Sequence, residues 1–247
     1  MKRRQRTAAT SDPPLEREAE NTVADGQPPS QAGEDTAADT SDDLDRSGVL
    51  FVMTGASGVG KDTIRNAALP HVQDLEFSIS ATTREQRQGE EHGVQYYFLS
   101  RDEFVELIDN DLLLEYADFV GEYYGTPLEP VKQALAEGRD VLLELELVGA
   151  RQVKRRMPEA VMIFIAPPSL SELERRLRGR GTETESKIQK RLARAREEIR
   201  ALREFDYLIV NDDVDDAADL FLSIIQAERS KARLLTQARV EQFLREE

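Results

Sequence analysis

The chain of 247 residues has no cysteine, no tryptophan and only two histidines, His71 and His92. Without cysteine there is no disulfide framework, no thiolate zinc site and no thiol nucleophile. Two histidines also speak against a histidine-rich metal site. No apolar run approaches the roughly 20 residues that a membrane helix needs. Lysine is scarce, with 7 Lys beside 26 Arg. Positive charge is short as a whole: 33 Lys and Arg face 48 Asp and Glu, a formal net charge of −15. That balance argues against a nucleic-acid binder, which needs a basic footprint. It leaves room for a nucleotide enzyme, because a local basic site can sit inside an acidic whole.

The acid is unevenly spread. Residues 1–46 hold 6 basic and 11 acidic side chains, and Val23 is their only β-branched aliphatic. Such a segment buries too little apolar surface to offset its ordering entropy. It reads as a disordered acidic tail. Its basic start, Lys2 to Arg6, is followed by no apolar signal core, and Asp and Glu interrupt a transit-peptide pattern. Residues 47–234 read as one domain, and 235–247 as a C-terminal helical extension.

From residue 49 onward the pattern alternates. Val49-Leu50-Phe51-Val52-Met53 is a short apolar run that reads as a buried strand. Further strand candidates are 141–143, 161–165 and 207–210. Helical patterns lie at 62–69, 149–157, 169–178, 186–203 and 213–229. This alternation predicts an α/β domain with a parallel sheet core. Residues 80–126 break it with short β-like pieces around one helix at 101–109, and so read as an insertion. Thr126 is placed at the N-cap of the next helix with Pro127 at N1, and Gly138 ends that helix.

Between the first strand and the first helix stands Gly55-Ala56-Ser57-Gly58-Val59-Gly60-Lys61. This is the P-loop pattern in its required context. Glycines let successive backbone N–H groups turn inward, and the helix start adds partial positive charge. Lys61 supplies an ammonium for the β- and γ-phosphates. The pattern calls next for a hydroxyl residue to hold Mg²⁺. Here that position is Asp62, with Thr63 after it, so either Thr63 takes the hydroxyl role or water and phosphates hold the metal.

A second constellation lies in the insertion. Arg84 and Arg87 are three apart and Tyr96 follows a glycine-containing turn. Two guanidinium forks and a phenol suit a phosphate dianion, and Glu90 can hold one Arg in pose. Downstream, the Glu115 carboxylate can accept two N–H bonds from the N1 and N2 edge of guanine. Residues 171–200 carry ten basic side chains against six Glu, a locally positive stretch. Gly179 and Gly181 bracket Arg180 as a hinge-like break. Glu197, Glu198 and several Arg of this stretch read as solvated helix salt bridges.

Taken together these motifs resemble the guanylate kinase family of P-loop nucleoside monophosphate kinases. The resemblance runs over about residues 48–229. It rests on the P-loop, Thr82-Thr83-Arg84 with Arg87-Gln88-Gly89-Glu90, Tyr123-Tyr124-Gly125-Thr126, the 178–185 stretch and Val210-Asn211-Asp212-Asp213. It implies a nucleotide-monophosphate-binding insertion at about 80–126 and a short lid at about 179–190. It implies transfer from ATP with Mg²⁺ to GMP or dGMP, in the cytoplasm, within purine nucleotide metabolism. By the same resemblance Ser80, Glu115 and Thr126 meet the guanine, and Glu146 is a further GMP-binding residue. Arg84, Arg87, Glu90, Tyr96 and Tyr124 serve the GMP phosphate. Lys61, Arg176, Arg180 and Arg191 approach the transferring group, and Asn211 lies near adenine. Thr63 and Glu144 are the metal candidates. The chain departs from the family pattern at Ala56, Asp62, Gln86, Val148 and the Glu144-Leu145-Glu146 step, where Asp-x-Asp is usual. Two other readings stay open. One is a ribose 1,5-bisphosphate kinase of the same fold, a family in which Asp also follows the P-loop Lys. The other is a non-enzymatic guanylate-kinase-like interaction module.

Overall fold

Strand β1 (Leu50–Gly55) is buried along its whole length, as an apolar run without alternation requires when both faces are covered. The computed structural model describes residues 46–179 and 184–245. In it β1 is the centre of a five-stranded parallel sheet of order β2-β7-β1-β8-β9. Its partners are β2 (Leu75–Phe77), β7 (Asp140–Glu144), β8 (Val161–Ala166) and β9 (Tyr207–Val210). The register sets Phe51 beside both Leu142 and Val161.

The two faces of the sheet are covered by different helices. On one, Phe51, Met53, Ile163 and Ile165 pack with Ile64, Leu173, Leu192 and Phe221. Those four come from α1 (Lys61–Ala68), α5 (Leu170–Gly179), α6 (Glu185–Arg200) and α7 (Val214–Arg229). On the other, Leu50, Val52, Leu143 and Met162 meet Val131 and Val153, from α3 (Leu128–Ala136) and α4 (Leu147–Arg156). Each fully buried aliphatic there contributes roughly 1.5–3 kcal/mol.

The insertion forms its own four-stranded sheet of order β4-β3-β6-β5. Its strands are β3 (Ala81–Thr82), β4 (Tyr97–Phe98), β5 (Leu113–Phe119) and β6 (Glu122–Pro127), with α2 (Arg101–Asp109) packed on it through Phe104. Ser100 starts α2 with a complete capping box to Glu103, which satisfies two otherwise orphaned N–H groups. The helix after the insertion begins one residue later than the sequence predicts. Pro127 is its N-cap and Leu128 its first residue, because Thr126 is paired in β6. Gly138 follows its end with φ 80°. The short edge strand β2 has no apolar pattern in the sequence to mark it. The chain closes with α8 (Gln237–Phe243).

The tail expected at 1–46 lies outside the described residues except for Arg46, which joins the fold. Asp140 at the start of β7 is 0% exposed. It accepts from Arg46 at 2.8 and 3.1 Å, from the Val49 amide at 2.7 Å and from Arg229 at 2.6 Å. One carboxylate thus fastens the chain entry, β1, β7 and the end of α7 at the amino edge of the sheet. Removing it leaves two half-buried guanidinium groups without their counter-ion. Asp140→Ala should therefore lower the unfolding free energy by about 3–5 kcal/mol, read from the urea midpoint. A loss under about 1 kcal/mol would show that water satisfies these cations.

Candidate active site

At the carboxyl edge of the sheet the chain must reverse from β1 into α1. Gly58 and Gly60 make the reversal at φ 91° and 95°, a region that side chains resist. Gly60 is constrained twice, since a Cβ there would stand 2.7 Å from Asn211 Nδ2. That amide donates to the Val59 carbonyl at 2.7 Å, from a side chain 3% exposed at the end of β9. Arg176 in turn donates to the Asn211 carbonyl at 2.8 Å and to Glu172 at 2.7 Å. Helix α1 starts without a side-chain cap, so its first N–H groups and the positive end of its dipole are left for a ligand. Lys61 Nζ donates back to the Gly55 carbonyl at 3.2 Å. Arg191 reaches over from α6 and donates to Ser57 Oγ at 2.8 Å. The result is one cradle of backbone N–H groups and cations drawn from the β1–α1 turn, β9, α5 and α6.

A second cradle is built in the insertion. Arg84 donates through both Nη atoms to Glu90, at 3.0 and 2.9 Å. Glu90 also accepts from the Arg87 amide at 2.9 Å. The Arg84 hydrogen bond holds the Glu90 carboxyl below the usual carboxylate range. The Arg84 guanidinium lies 5.4 Å from the Tyr96 ring centre and 5.6 Å from that of Phe98. Tyr96 meets Tyr124 edge-on at 6.0 Å, and burial pushes its phenol up. Arg87 itself is exposed. Two cations, two phenols and one orienting carboxylate converge here.

Beside this cradle lies the most buried carboxylate of the insertion. Glu115 and Thr126 are cross-strand neighbours on β5 and β6. Thr126 Oγ1 donates to Glu115 Oε1 at 2.8 Å, which explains why its hydroxyl caps no helix. Glu115 is 6% exposed. Burial pushes its carboxyl up to about 6, against the opposing Thr126 hydrogen bond. The register shifts between Leu113 and Glu115, a local irregularity of the kind that re-aims a side chain. Its other oxygen faces the first turn of α4, where a Cβ on Gly149 would come within 2.6 Å. Ser80 precedes β3, and its carbonyl accepts from the Tyr97 amide at 2.9 Å.

Glu144 and Glu146 follow each other out of β7, and each is claimed by an arginine. Arg65 of α1 donates to Glu144 at 2.6 Å, lies 3.4 Å from Asp62 and covers the Phe77 ring at 4.6 Å. Burial pushes the Glu144 carboxyl up, with the Asp62 charge adding to it and Lys61 and Arg65 opposing. Glu146 pairs with Arg194, which also donates to Glu198 at 2.9 Å. Glu198 is 5% exposed, so the salt bridge expected to be solvated there is buried at its carboxylate end, with Arg194 still half-exposed. The reason is position: the side of α6 that carries it packs on the body of the protein. Sequence reading missed Arg65 and Arg194. The available signal was spacing, since Arg191, Arg194 and Glu198 recur at i, i+3 and i+7 along one helical stripe. Arg180 lies outside the described residues.

The family model described as guanylate kinase matches residues 47–228. The guanylate kinase of Thermus thermophilus is 54% identical over 191 residues, covering 77% of this chain and 86% of the relative. That of Lactococcus lactis is 52% identical over 181 residues, covering 73% and 88%. Among solved structures, guanylate kinase from Anaplasma phagocytophilum aligns at 33% identity with a TM-score of 0.64. That alignment covers 83% of this chain and 100% of the neighbour. The matched span takes in the first buried strand, both cradles and nearly all of α7: the chain belongs to the guanylate kinase family.

Proposed function

We propose that this protein transfers the γ-phosphoryl group of ATP to a phosphate oxygen of GMP or dGMP, giving ADP and GDP or dGDP. The observation that carries the reading is the buried Glu115–Thr126 pair beside the Arg84–Glu90–Tyr96–Tyr124 cradle. A carboxylate held in that position suits the adjacent N1–H and N2–H donors of guanine. Ribose 1,5-bisphosphate has no base for it to read. The P-loop and Lys61 would take the ATP phosphates, with Arg176, Arg180 and Arg191 toward the transferring group. Acting on ATP and GMP, it would serve purine nucleotide metabolism in the cytoplasm.

The attacking oxygen of GMP is already ionised at neutral pH, so no general base is needed. The new bond forms between that oxygen and the γ-phosphorus as the bond to the β–γ bridging oxygen breaks, and ADP leaves with the electron pair. The work left to the protein is alignment and neutralisation of charge. Lys61 and Arg191 supply positive charge at the donor loop, and Arg84 and Arg87 at the acceptor phosphate. Mg²⁺ is expected to arrive with ATP and would neutralise charge between its phosphates. Among the described residues no group of three or more His, Cys, Asp or Glu is placed to hold a metal. Mg²⁺ needs only one or two carboxylates beside phosphates and water, and Asp62 and Glu144, with Thr63 nearby, fit that demand.

An ADP-release assay with ATP and a panel of acceptors tests the reading. GMP and dGMP should turn over with kcat/KM at least about 100-fold above AMP, UMP and ribose 1,5-bisphosphate. Equal rates with AMP would remove Glu115 from base reading, and tight GMP binding without turnover would favour an interaction module. Lys61→Ala should lower kcat at least about 100-fold while the Kd for GMP stays within about threefold. Loss of GMP binding instead would show that the two cradles are not separate.

The raised Glu115 carboxyl sets a pH dependence. The ionised form is the one that accepts from guanine. GMP binding should weaken as pH falls through about 6, because the carboxyl takes up a proton there. The GMP phosphate also titrates near pH 6, so Glu115→Gln is the control. Its profile should keep the phosphate step alone. Identical pH profiles of KM for the wild type and Glu115→Gln would contradict the assignment.

A further inference from the structure

Helix α6 reaches both halves of the site. Arg191 touches Ser57 in the phosphate loop. One turn later, Arg194 donates from Nε to Glu198 Oε1 at 2.9 Å and from Nη2 to Glu146 Oε2. The two carboxylates that share Arg194 are unlike. Glu198 is 5% exposed, and its second oxygen is buried without a hydrogen-bond partner among the described residues. Burial pushes its carboxyl up, while Arg194 and then Lys61 pull it back. A carboxylate so placed holds its counter-ion firmly, because losing it would strand a buried charge. Arg194 is therefore fixed from within its own helix.

Glu146 is the free end of this chain of contacts. Its side chain is 56% exposed. It occupies the N-cap of α4 but makes no capping hydrogen bond, so its carboxylate is not spent on the helix start. Three residues on, Gly149 carries the close approach of Glu115. Glu115 and Glu146 thus flank the first turn of α4, each with one tether: Thr126 for the first and Arg194 for the second. An untethered glutamate at a half-exposed position would have to give up rotamer freedom on meeting a ligand.

We propose that Arg194 is a positioning residue for the acceptor: anchored by Glu198, it holds the Glu146 carboxylate in pose at the acceptor pocket. It thereby ties base recognition to the helix that also touches the phosphate loop. The proposal rests on the GMP reading above.

The test uses the full chain, with steady-state kinetics and direct GMP titration. Wild-type turnover with GMP is measured first, and its absence would overturn the underlying reading rather than the role of Arg194. Arg194→Ala should raise both KM and Kd for GMP by about three- to thirtyfold, with kcat and KM for ATP within about twofold. Arg194→Lys should restore part of the loss. In a Glu146→Gln background the Arg194→Ala change should add nothing. Arg194→Met with Glu198→Gln removes both charges and avoids a stranded carboxylate, so it serves if the single variant unfolds. This pair should keep the weakened GMP binding. Unchanged GMP binding in a folded variant, an equal rise in KM for ATP, or full multiplication with Glu146→Gln would overturn the proposal.

Discussion

The amide of Asn211 donating to the Val59 carbonyl is the contact on which the site depends. It locks the end of β9 to the turn after β1, and so fixes where α1 begins and where Lys61 starts. The turn is closed so tightly that Gly60 has no room for a Cβ, and Arg176 braces Asn211 from the other side through its carbonyl. Asn211 Oδ1 is left buried without a partner among the described residues. A buried unpaired acceptor is costly. The fold tolerates it here because the same amide shapes the phosphate loop.

Four arginines around the site are each held by a carboxylate. Arg84 is held by Glu90, Arg65 by Glu144, Arg176 by Glu172 and Arg194 by Glu146 and Glu198. In an acidic chain these pairs keep the arginines oriented without leaving a bare positive field. Guanidinium groups posed in this way would reduce the ordering cost of binding a phosphate. The lone buried carboxylate of the insertion is treated differently. Glu115 has a hydroxyl for company rather than a cation, and burial raises its carboxyl.

The parts legible in the sequence are those that need particular residue types at short spacing. The P-loop pattern shows in Gly55 to Lys61, the Arg–Glu–Tyr cluster of the insertion in Arg84, Glu90 and Tyr96, and the sheet core in apolar runs such as 161–165. What escaped depends on distant neighbours. Arg46 and Asp140 are 94 residues apart, and no local pattern joins them. Glu198 looks like any helix-surface glutamate until α6 is packed. Thr126-Pro127 carries a fair helix-start signal, but the Thr126 hydroxyl is taken by Glu115 across the sheet. Strand β2 has three residues and a mostly exposed pattern, too little to register as a period.

The claim at the centre of this account is that Glu115 reads the N1–H and N2–H edge of guanine. Its most direct test is a calorimetric comparison of GMP with inosine monophosphate, which keeps N1–H and lacks the N2 amine. A hydrogen bond to a charged group contributes about 1.5–3 kcal/mol. GMP should therefore bind at least about tenfold more tightly than inosine monophosphate at pH 7.5, with the gap much reduced in Glu115→Gln. Equal affinities of the wild type for the two nucleotides would contradict it.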